Sequence, residues 1–171
     1  GFDSIPFEMG VFFLQKAAQA QLGATLPRVK GRVRSMQGTA SGGTVASFTA
    51  TMKSVEATPA LFNDLINPFA LTAGFTGPEQ PPGDKNIYEA DLGFWSGPFV
   101  MATINTKNIH RSNMLLDHFY GKNFVYDEMM LLGAKEPSAD AKNDQEMSFD
   151  MSLKPGEGPS KAQREAGFYD L

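Results

Sequence analysis

Cysteine is absent from this chain of 171 residues. The absence excludes disulfide bonds, a thiolate nucleophile and cysteine-ligated zinc or iron–sulfur clusters. Histidine is scarce as well, because only His110 and His118 are present. Eight residues apart, they lack the i, i+4 spacing with which two histidines of one helix bind a metal ion. We therefore predict that the chain has no metal site.

Long apolar runs and familiar catalytic signatures are missing too. No run approaches the roughly 20 apolar residues of a transmembrane helix, and no signal-peptide pattern is visible. The sequence contains no P-loop, GxGxxG or HExxH motif and no Ser/His/Asp order. We expect a protein without a transmembrane segment, in the cytoplasm or brought to a membrane through its substrate. No single motif names a reaction.

The composition is that of a globular domain, with 42% hydrophobic and 20% charged residues. We predict one domain over residues 1–171, and we expect it to be part of a longer protein. The net charge of −4 argues against non-specific nucleic-acid binding. Six of the 15 cationic but only three of the 19 acidic side chains precede residue 61. An anion site in the first third of the chain is one interpretation of that asymmetry.

Residues 1–10 (GFDSIPFEMG) lead into an apolar helical pattern. Asp3 and Ser4 are helix-cap candidates, Pro6 suits a first helical turn, and Gly23 suits a C-terminal stop. The spacing predicts an amphipathic core helix with Gln15 on the polar side and an apolar stripe of Phe7, Val11, Leu14, Ala18 and Leu22. Free N–H groups at such a helix start would also suit an anionic or carbonyl-bearing ligand.

Two further stretches allow both a structural and a functional interpretation. The alternation in residues 28–35 predicts a strand with four cations on one face, either solvated or bound to phosphate or an acidic partner: Arg28, Lys30, Arg32 and Arg34. The Gly-rich residues 38–44 precede a predicted helix that Ser41 or Thr44 would cap. A ligand could approach the backbone closely there.

The remaining pattern predicts short elements and one long loop. Helices are predicted from Thr58 to Asn67, from Asn105 or Thr106 to Gly121, and over residues 160–166. Strands are predicted over residues 124–132, 146–153 and from 168 onward, with turn-rich surface loops over 74–86 and 133–145. The dense apolar stretch 92–104 is either core or the wall of an apolar pocket.

Six short pieces occur in order along nearly the whole chain. They are GFDSIP with Gly10, SGGT (41–44), WxxPFVMA (95–102), INT (104–106) with Arg111-Ser112, YG (120–121) with Phe124 and Tyr126, and PGEGPS (155–160). In this order and spacing they resemble the saccharopine dehydrogenase-like oxidoreductases, including the trans-acting enoyl reductases of mycobacterial lipid synthesis. The order of the pieces, rather than any one of them, carries the resemblance.

The resemblance implies an α+β fold in which a mixed, largely antiparallel sheet is covered by helices on one face. It implies the substrate-binding and dimerisation domain of an oxidoreductase, with a Rossmann domain for NADP or NAD expected upstream of residue 1. An enoyl reductase acting on acyl or lipid-like substrates, as a homo-oligomer, is the implied function. The alternative is a non-catalytic lipid- or partner-binding module with the same fold.

Carried over residue by residue, the resemblance implies two stretches bordering the cofactor: Gly1, Phe2, Asp3, Ser4, Ile5 and Pro6, then Ser41, Gly42, Gly43 and Thr44. The expected substrate pocket comprises Trp95, Phe99, Met101 and Arg111. The candidates for proton transfer are Asp3, His110, Tyr120 and Tyr126, and the sequence does not choose among them.

Overall fold

The computed structural model describes residues 4–136 and 150–171. Its helices are α1 (Ile5–Leu22), α2 (Gly42–Ala57), α3 (Leu61–Ile66), α4 (Ala102–Leu115) and α5 (Lys161–Ala166). Its strands are β1 (Arg28–Val33), β2 (Ser35–Gln37), β3 (Ile87–Glu89), β4 (Phe94–Pro98), β5 (Val125–Gly133) and β6 (Phe168–Asp170). The predicted α+β class is confirmed. None of the described helices has the length and apolarity needed to cross a bilayer.

Four strands form a mixed sheet in the order β1-β5-β4-β3. β1 runs parallel to β5, whereas the β5–β4 and β4–β3 pairs are antiparallel. Because successive side chains of a strand point to opposite faces, β1 directs Val29 and Val33 to one face and Lys30 and Arg32 to the other. The valine face is the one that α1 and α4 cover.

The core lies between the valine face of the sheet and these two helices. Phe7 of α1 and Ile109 of α4 belong to one apolar cluster with Tyr126 and Met130 of β5. Val45 at the start of α2 belongs to the same cluster. The first turns of α1 and α2 are therefore both anchored in one core.

Helix α1 confirms the predicted helix but only part of its predicted stripe. Leu14 and Leu22 are exposed, and Gln15, predicted on the polar side, is 0% exposed. The Gln15 amide donates to the Leu26 carbonyl at 2.9 Å and accepts from the Leu26 N–H at 2.8 Å. Gln15 can be buried because both of its polar ends are paired. Gly23, in the left-handed conformation with φ of 72°, ends the helix as predicted.

Helix α4 begins and ends earlier than the sequence predicts. It starts after Met101, so that the predicted caps Asn105 and Thr106 lie inside it, and it ends at Leu115. His118, predicted on this helix, lies beyond it with φ of 57°. A left-handed residue cannot continue a right-handed helix, so the chain turns here well before Gly121.

The smaller elements agree in large part with prediction. Strands β2 and β6 pair antiparallel. Ser41 caps α2, and Ser160 caps α5 in a capping box. Helix α3 begins after Ala60 rather than with Thr58 as its cap.

Residues 150–153 form a turn, although the sequence predicts strand there. Asp150 Oδ1 accepts hydrogen bonds from both the backbone N–H and the hydroxyl of Ser152, at 2.9 and 2.6 Å, which is typical of an Asx turn. The rest of that predicted strand, and the predicted loop over residues 137–145, lie outside the described residues.

Candidate functional site

A chain of hydrogen bonds connects the start of α1 with strand β5. Ser4 Oγ donates to Asn105 Oδ1 at 2.7 Å, and Asn105 Nδ2 donates to Glu128 Oε2 at 2.8 Å. The Tyr126 hydroxyl donates to Glu128 Oε1 at 2.6 Å. Asn105, Tyr126 and Glu128 are at most 1% exposed, whereas Ser4 is half-buried. We call these four residues the Ser4 relay.

A glycine on the neighbouring strand makes room for the relay. Gly31 lies opposite Glu128 in the parallel β1–β5 register. A Cβ at Gly31 would lie 2.7 Å from the Tyr126 hydroxyl oxygen and 2.9 Å from Glu128 Cγ. Both separations are shorter than ordinary contacts, so a larger residue would have to displace these side chains. The missing side chain of Gly31 therefore lets two polar side chains of β5 approach the β1 backbone.

Burial favours the neutral form of Glu128, although its hydrogen bonds within the relay favour the ion. Burial raises the pKa of Glu128, the carboxylates of Asp127 and Glu8 raise it further, and the hydrogen bonds from Tyr126 and Asn105 oppose this; the resulting pKa is about 8. Burial, reinforced by Glu128, raises the pKa of Tyr126 far above its ordinary value. Near neutral pH this pair consists mainly of a carboxylic acid and a phenol, which donate protons rather than accept them.

Two polar atoms near the relay have no hydrogen-bond partner among the described residues, namely the Tyr120 hydroxyl and Glu8 Oε2. Burial, with a contribution from Glu8, raises the pKa of Tyr120 to about 12. The Phe124 ring contacts both tyrosines, with its centroid 5.3 Å from that of Tyr120 and 6.4 Å from that of Tyr126. Two of the predicted proton-transfer candidates thus belong to one apolar cluster and contact the same ring.

The other two candidates are placed differently. His110 Nε2 lies 3.1 Å from Gln80 Oε1, which also accepts from the Tyr126 N–H at 2.8 Å. Burial lowers the pKa of His110 to about 4. His110 is therefore a neutral donor that ties the loop over residues 74–86 to α4. Asp3 lies outside the described residues.

The second predicted cofactor stretch borders a groove of about 800 Å³ at the start of α2. The groove runs between this helix start and the segment from Pro159 to Tyr169. Ser41 and Thr44 both line it. Ser41 Oγ accepts from the Thr44 N–H at 3.3 Å and so caps the helix.

The two glycines of this stretch have different surroundings. A Cβ at Gly42 would collide with the carbonyl oxygen of Lys154, and the Gly42 N–H donates to the Glu157 carbonyl at 2.9 Å. A Cβ at Gly43 would meet only Ser41 Oγ, at 3.7 Å. Gly42 is therefore required by the packing of the turn over residues 154–157, whereas position 43 has room for a side chain.

The four residues predicted for the substrate pocket have different environments. Phe99 and Met101 belong to the core and are 5% and 8% exposed. Trp95 is half-buried on β4, with its ring centroid 5.7 Å from that of Tyr88. Arg111 is exposed on α4. None of the four lines the groove at α2.

The cationic face of β1 is neither simply solvated nor an open anion site. Arg32 Nε lies 2.5 Å from Glu89, and its Nη2 lies 2.9 Å from Asp127. Lys30 pairs with Glu89 at 3.0 Å, and Arg28 pairs with Asp127. The prediction of a solvated face is wrong for Arg32, which is 9% exposed, because β3 and β5 bring carboxylates onto this face.

No group of three or more His, Asp or Glu side chains that could hold a metal ion occurs within residues 4–136 and 150–171.

Sequence reasoning missed three residues of this region: Glu8, Asn105 and Glu128. A signal for Glu128 was present, since Asp127 and Glu128 are adjacent in an apolar strand. Adjacent strand residues point to opposite faces, so one of the two acids must face the core. A buried acid needs a partner or a proton, and that requirement could have led to the relay.

The chain is similar over 99% of its length, at 31% identity, to a trans-acting enoyl reductase of Mycobacterium ulcerans (strain Agy99). Proteins of the same name from Mycobacterium bovis (strain BCG / Pasteur 1173P2) and Mycobacterium tuberculosis (strain ATCC 25618 / H37Rv) are 34% identical over 78% of the chain. The matched regions are 47% of the first protein and 34% of the other two. The chain thus spans about half the length, or less, of these curated relatives. No protein-family profile and no solved structure matches it.

Proposed function

We propose that the chain is the substrate-binding and dimerisation domain of an NAD(P)-dependent enoyl reductase of the saccharopine dehydrogenase-like type. The proposal is supported above all by the match to a protein named trans-acting enoyl reductase, which is 31% identical over 99% of the chain. Such chemistry delivers a hydride from a reduced nicotinamide to a carbon–carbon double bond conjugated to a carbonyl, and a proton to the neighbouring carbon. The protein must therefore orient a carbonyl and exclude water.

The starts of α1 and α2 are suited to that task. Each helix start carries a partial positive charge, which favours a carbonyl or phosphate oxygen. At α2 the N–H groups of Gly42 and Thr44 are already bonded within the protein. The groove beside Ser41 and Thr44 offers a volume of about 800 Å³. At the start of α1, Ser4 is held in place by its hydrogen bond to Asn105 in the core.

An acyl or lipid-like substrate is supported by the surface of α1. Ile5, Met9 and Phe13 recur every fourth residue and are 60%, 57% and 74% exposed. At this spacing they form one apolar stripe that starts next to Ser4. An exposed apolar stripe of this kind favours contact with an apolar ligand or partner.

The test uses the full-length protein that contains this chain. Titration with NADPH and with NADH, followed by nucleotide fluorescence, should show saturable binding. Thr44→Trp would fill the groove, and we expect it to weaken nucleotide binding about tenfold or more, because the ligand must displace or avoid the ring. Thr51→Trp is the matched control, since residue 51 is two helical turns further along α2 and exposed.

Two results would contradict the proposal. Absence of saturable binding of either nucleotide would favour the alternative, a non-catalytic lipid- or partner-binding module. If Thr44→Trp and Thr51→Trp bind nucleotide with equal affinity, the groove at α2 is not part of the nucleotide site.

A further inference from the structure

The Ser4 relay reaches further than the pairing of Glu128 requires. Tyr126 and Asn105 already donate to both carboxyl oxygens of Glu128, at 2.6 and 2.8 Å. The additional bond from Ser4 to Asn105, 2.7 Å long, joins residues 101 positions apart in sequence. It connects a core carboxyl group to a half-buried residue at the start of α1.

Ser4 also makes an unusual bond for its position. It occupies the N-cap position of α1, where a serine hydroxyl ordinarily accepts from a backbone N–H of the first turn. Here the hydroxyl makes no such bond and donates to Asn105 instead. The orientation of Ser4 is thus fixed by α4 and β5 rather than by its own helix.

We propose that Asn105 and Glu128 are positioning residues that hold Ser4 and the first turn of α1 in the orientation used by the proposed reductase. This inference rests on the proposed function for its catalytic consequence. The relay fixes the Ser4 hydroxyl, which donates inward to Asn105, and thereby the adjoining backbone at the start of α1, while Asn105 and Glu128 themselves remain in the core. The Tyr126 hydroxyl bonds to Glu128, and Gly31 leaves room for both side chains.

Amide hydrogen exchange on the full-length protein measures whether the relay holds the first turn of α1 in place. The Glu8 N–H donates to the Ser4 carbonyl at 3.0 Å and reports on the first turn of α1. Asn105→Leu keeps the approximate volume and removes the relay, so exchange at Glu8 should accelerate about tenfold or more. Ser4→Ala removes only the outer hydroxyl and should accelerate the same amide if Asn105→Leu does not fold.

Asn113→Leu is the matched control. Asn113 also lies on α4, is 2% exposed, and makes two hydrogen bonds with its amide, accepting from the Tyr120 N–H and donating to the Gly121 carbonyl, both at 2.8 Å. Its loss should accelerate exchange at Tyr120 and leave Glu8 protected. Unchanged exchange at Glu8 in both Asn105→Leu and Ser4→Ala would overturn the positioning role.

The catalytic consequence is measured separately, with NADPH and crotonyl-coenzyme A as a small enoyl thioester. Ser4→Ala should lower kcat about tenfold or more with little change in KM, as displaced orienting groups do. Ser4→Thr retains the hydroxyl and should restore most of kcat. Equal kcat in wild type and Ser4→Ala would overturn the catalytic part. Absence of turnover in the wild type would overturn the proposed function, whereas the exchange result would still decide the positioning role.

Discussion

Two buried glutamates on opposite faces of one sheet show how strongly the surroundings of a carboxyl group determine its pKa. Glu89 and Glu128 are 4% and 1% exposed. Burial raises the pKa of Glu89, but hydrogen bonds from Arg32, Ser96 and Lys30 outweigh this and lower the pKa to about 2. Among the described residues the donors to Glu128 are the neutral Tyr126 and Asn105, so burial prevails and its pKa is about 8. Glu89 is therefore an ionised member of the ion pairs that join the strands, whereas Glu128 is mainly a neutral carboxylic acid.

The two faces of the sheet consequently have different roles. Glu89 lies in the ion-pair network with Arg32, Lys30 and Asp127, which fastens β3, β1 and β5 together. Glu128 lies under α1 and α4, where its hydrogen bonds extend to Ser4. The difference teaches that the cations of β1 stabilise the fold, whereas the candidate site lies on the apolar face.

The largest effect should come from breaking the ion-pair face. Arg32→Met removes the main partner of Glu89 and a partner of Asp127, leaving these buried carboxylates paired only with the more exposed Lys30 and Arg28. Loss of one partner of a buried ion pair costs about 3–5 kcal/mol. We expect a decrease of that size in the free energy of unfolding, measured by urea denaturation at pH 7.

The control for this prediction is Arg34→Met, two residues further along the chain. The Arg34 side chain is 66% exposed and lies 3.8 Å from Asp170, and exposed pairs contribute about 0–1 kcal/mol. If Arg32→Met lowers the free energy of unfolding no more than Arg34→Met does, the ion-pair network does not stabilise the fold.

The next effect should come from crowding the relay. Gly31→Ala places a methyl group 2.7 Å from the Tyr126 hydroxyl, and overpacking of this kind costs about 1–3 kcal/mol. Gly10→Ala, in open space on α1, should instead stabilise the helix by up to about 1 kcal/mol. Thermal unfolding of both variants compares the two positions, and a neutral Gly31→Ala would contradict the close packing.

The relay also predicts a pH dependence of stability. The folded pKa of Glu128 is raised from 4.5 to about 8, so the unfolded chain releases this proton at lower pH than the folded protein does. Glu128 therefore makes stability fall as pH rises from 4.5 through 8, by up to about 1.4 kcal/mol per pH unit. Glu128→Gln should remove that slope.

Urea denaturation of wild type and Glu128→Gln at pH 5, 6, 7 and 8 measures the difference in slope. Because His110 and the other titrating groups are common to both proteins, they cancel in this difference. Parallel stability curves would show that Glu128 is not held neutral.

The smallest effect is expected at the cap of α2. Ser41→Ala removes the oxygen that accepts from the Thr44 N–H and should cost about 1 kcal/mol. A change in circular dichroism melting temperature of a few degrees would agree with this. No change would mean that Ser41 does not stabilise the helix start.

Local signals predicted most of the elements because their causes lie close in sequence. Gly23 ends α1 and Ser160 caps α5, as their types and positions predict. The strands β1 and β5 follow from alternation and apolar composition. The burial of Gln15 and Arg32 depended instead on partners brought by the fold, namely the Leu26 backbone and the carboxylate of Glu89.

The candidate site was less predictable than the fold for the same reason. Ser4, Asn105 and Glu128 lie far apart in the sequence and are joined only by the packing of α1, α4 and β5. Asn105 was predicted as a helix cap, since a local pattern cannot show that its amide faces the core. The resemblance named the stretch around Ser4, and the structure supplied the core residues behind it.

The most direct test of the account compares Ser4 of the relay with Arg34, an exposed cation outside it, in the full-length protein. NADPH oxidation that depends on crotonyl-coenzyme A would be measured for wild type, Ser4→Ala and Arg34→Ala. The account predicts turnover by the wild type, a loss of about tenfold or more in Ser4→Ala, and near-wild-type activity in Arg34→Ala. Wild-type protein without thioester-dependent oxidation, or equal activity of all three proteins, would contradict it.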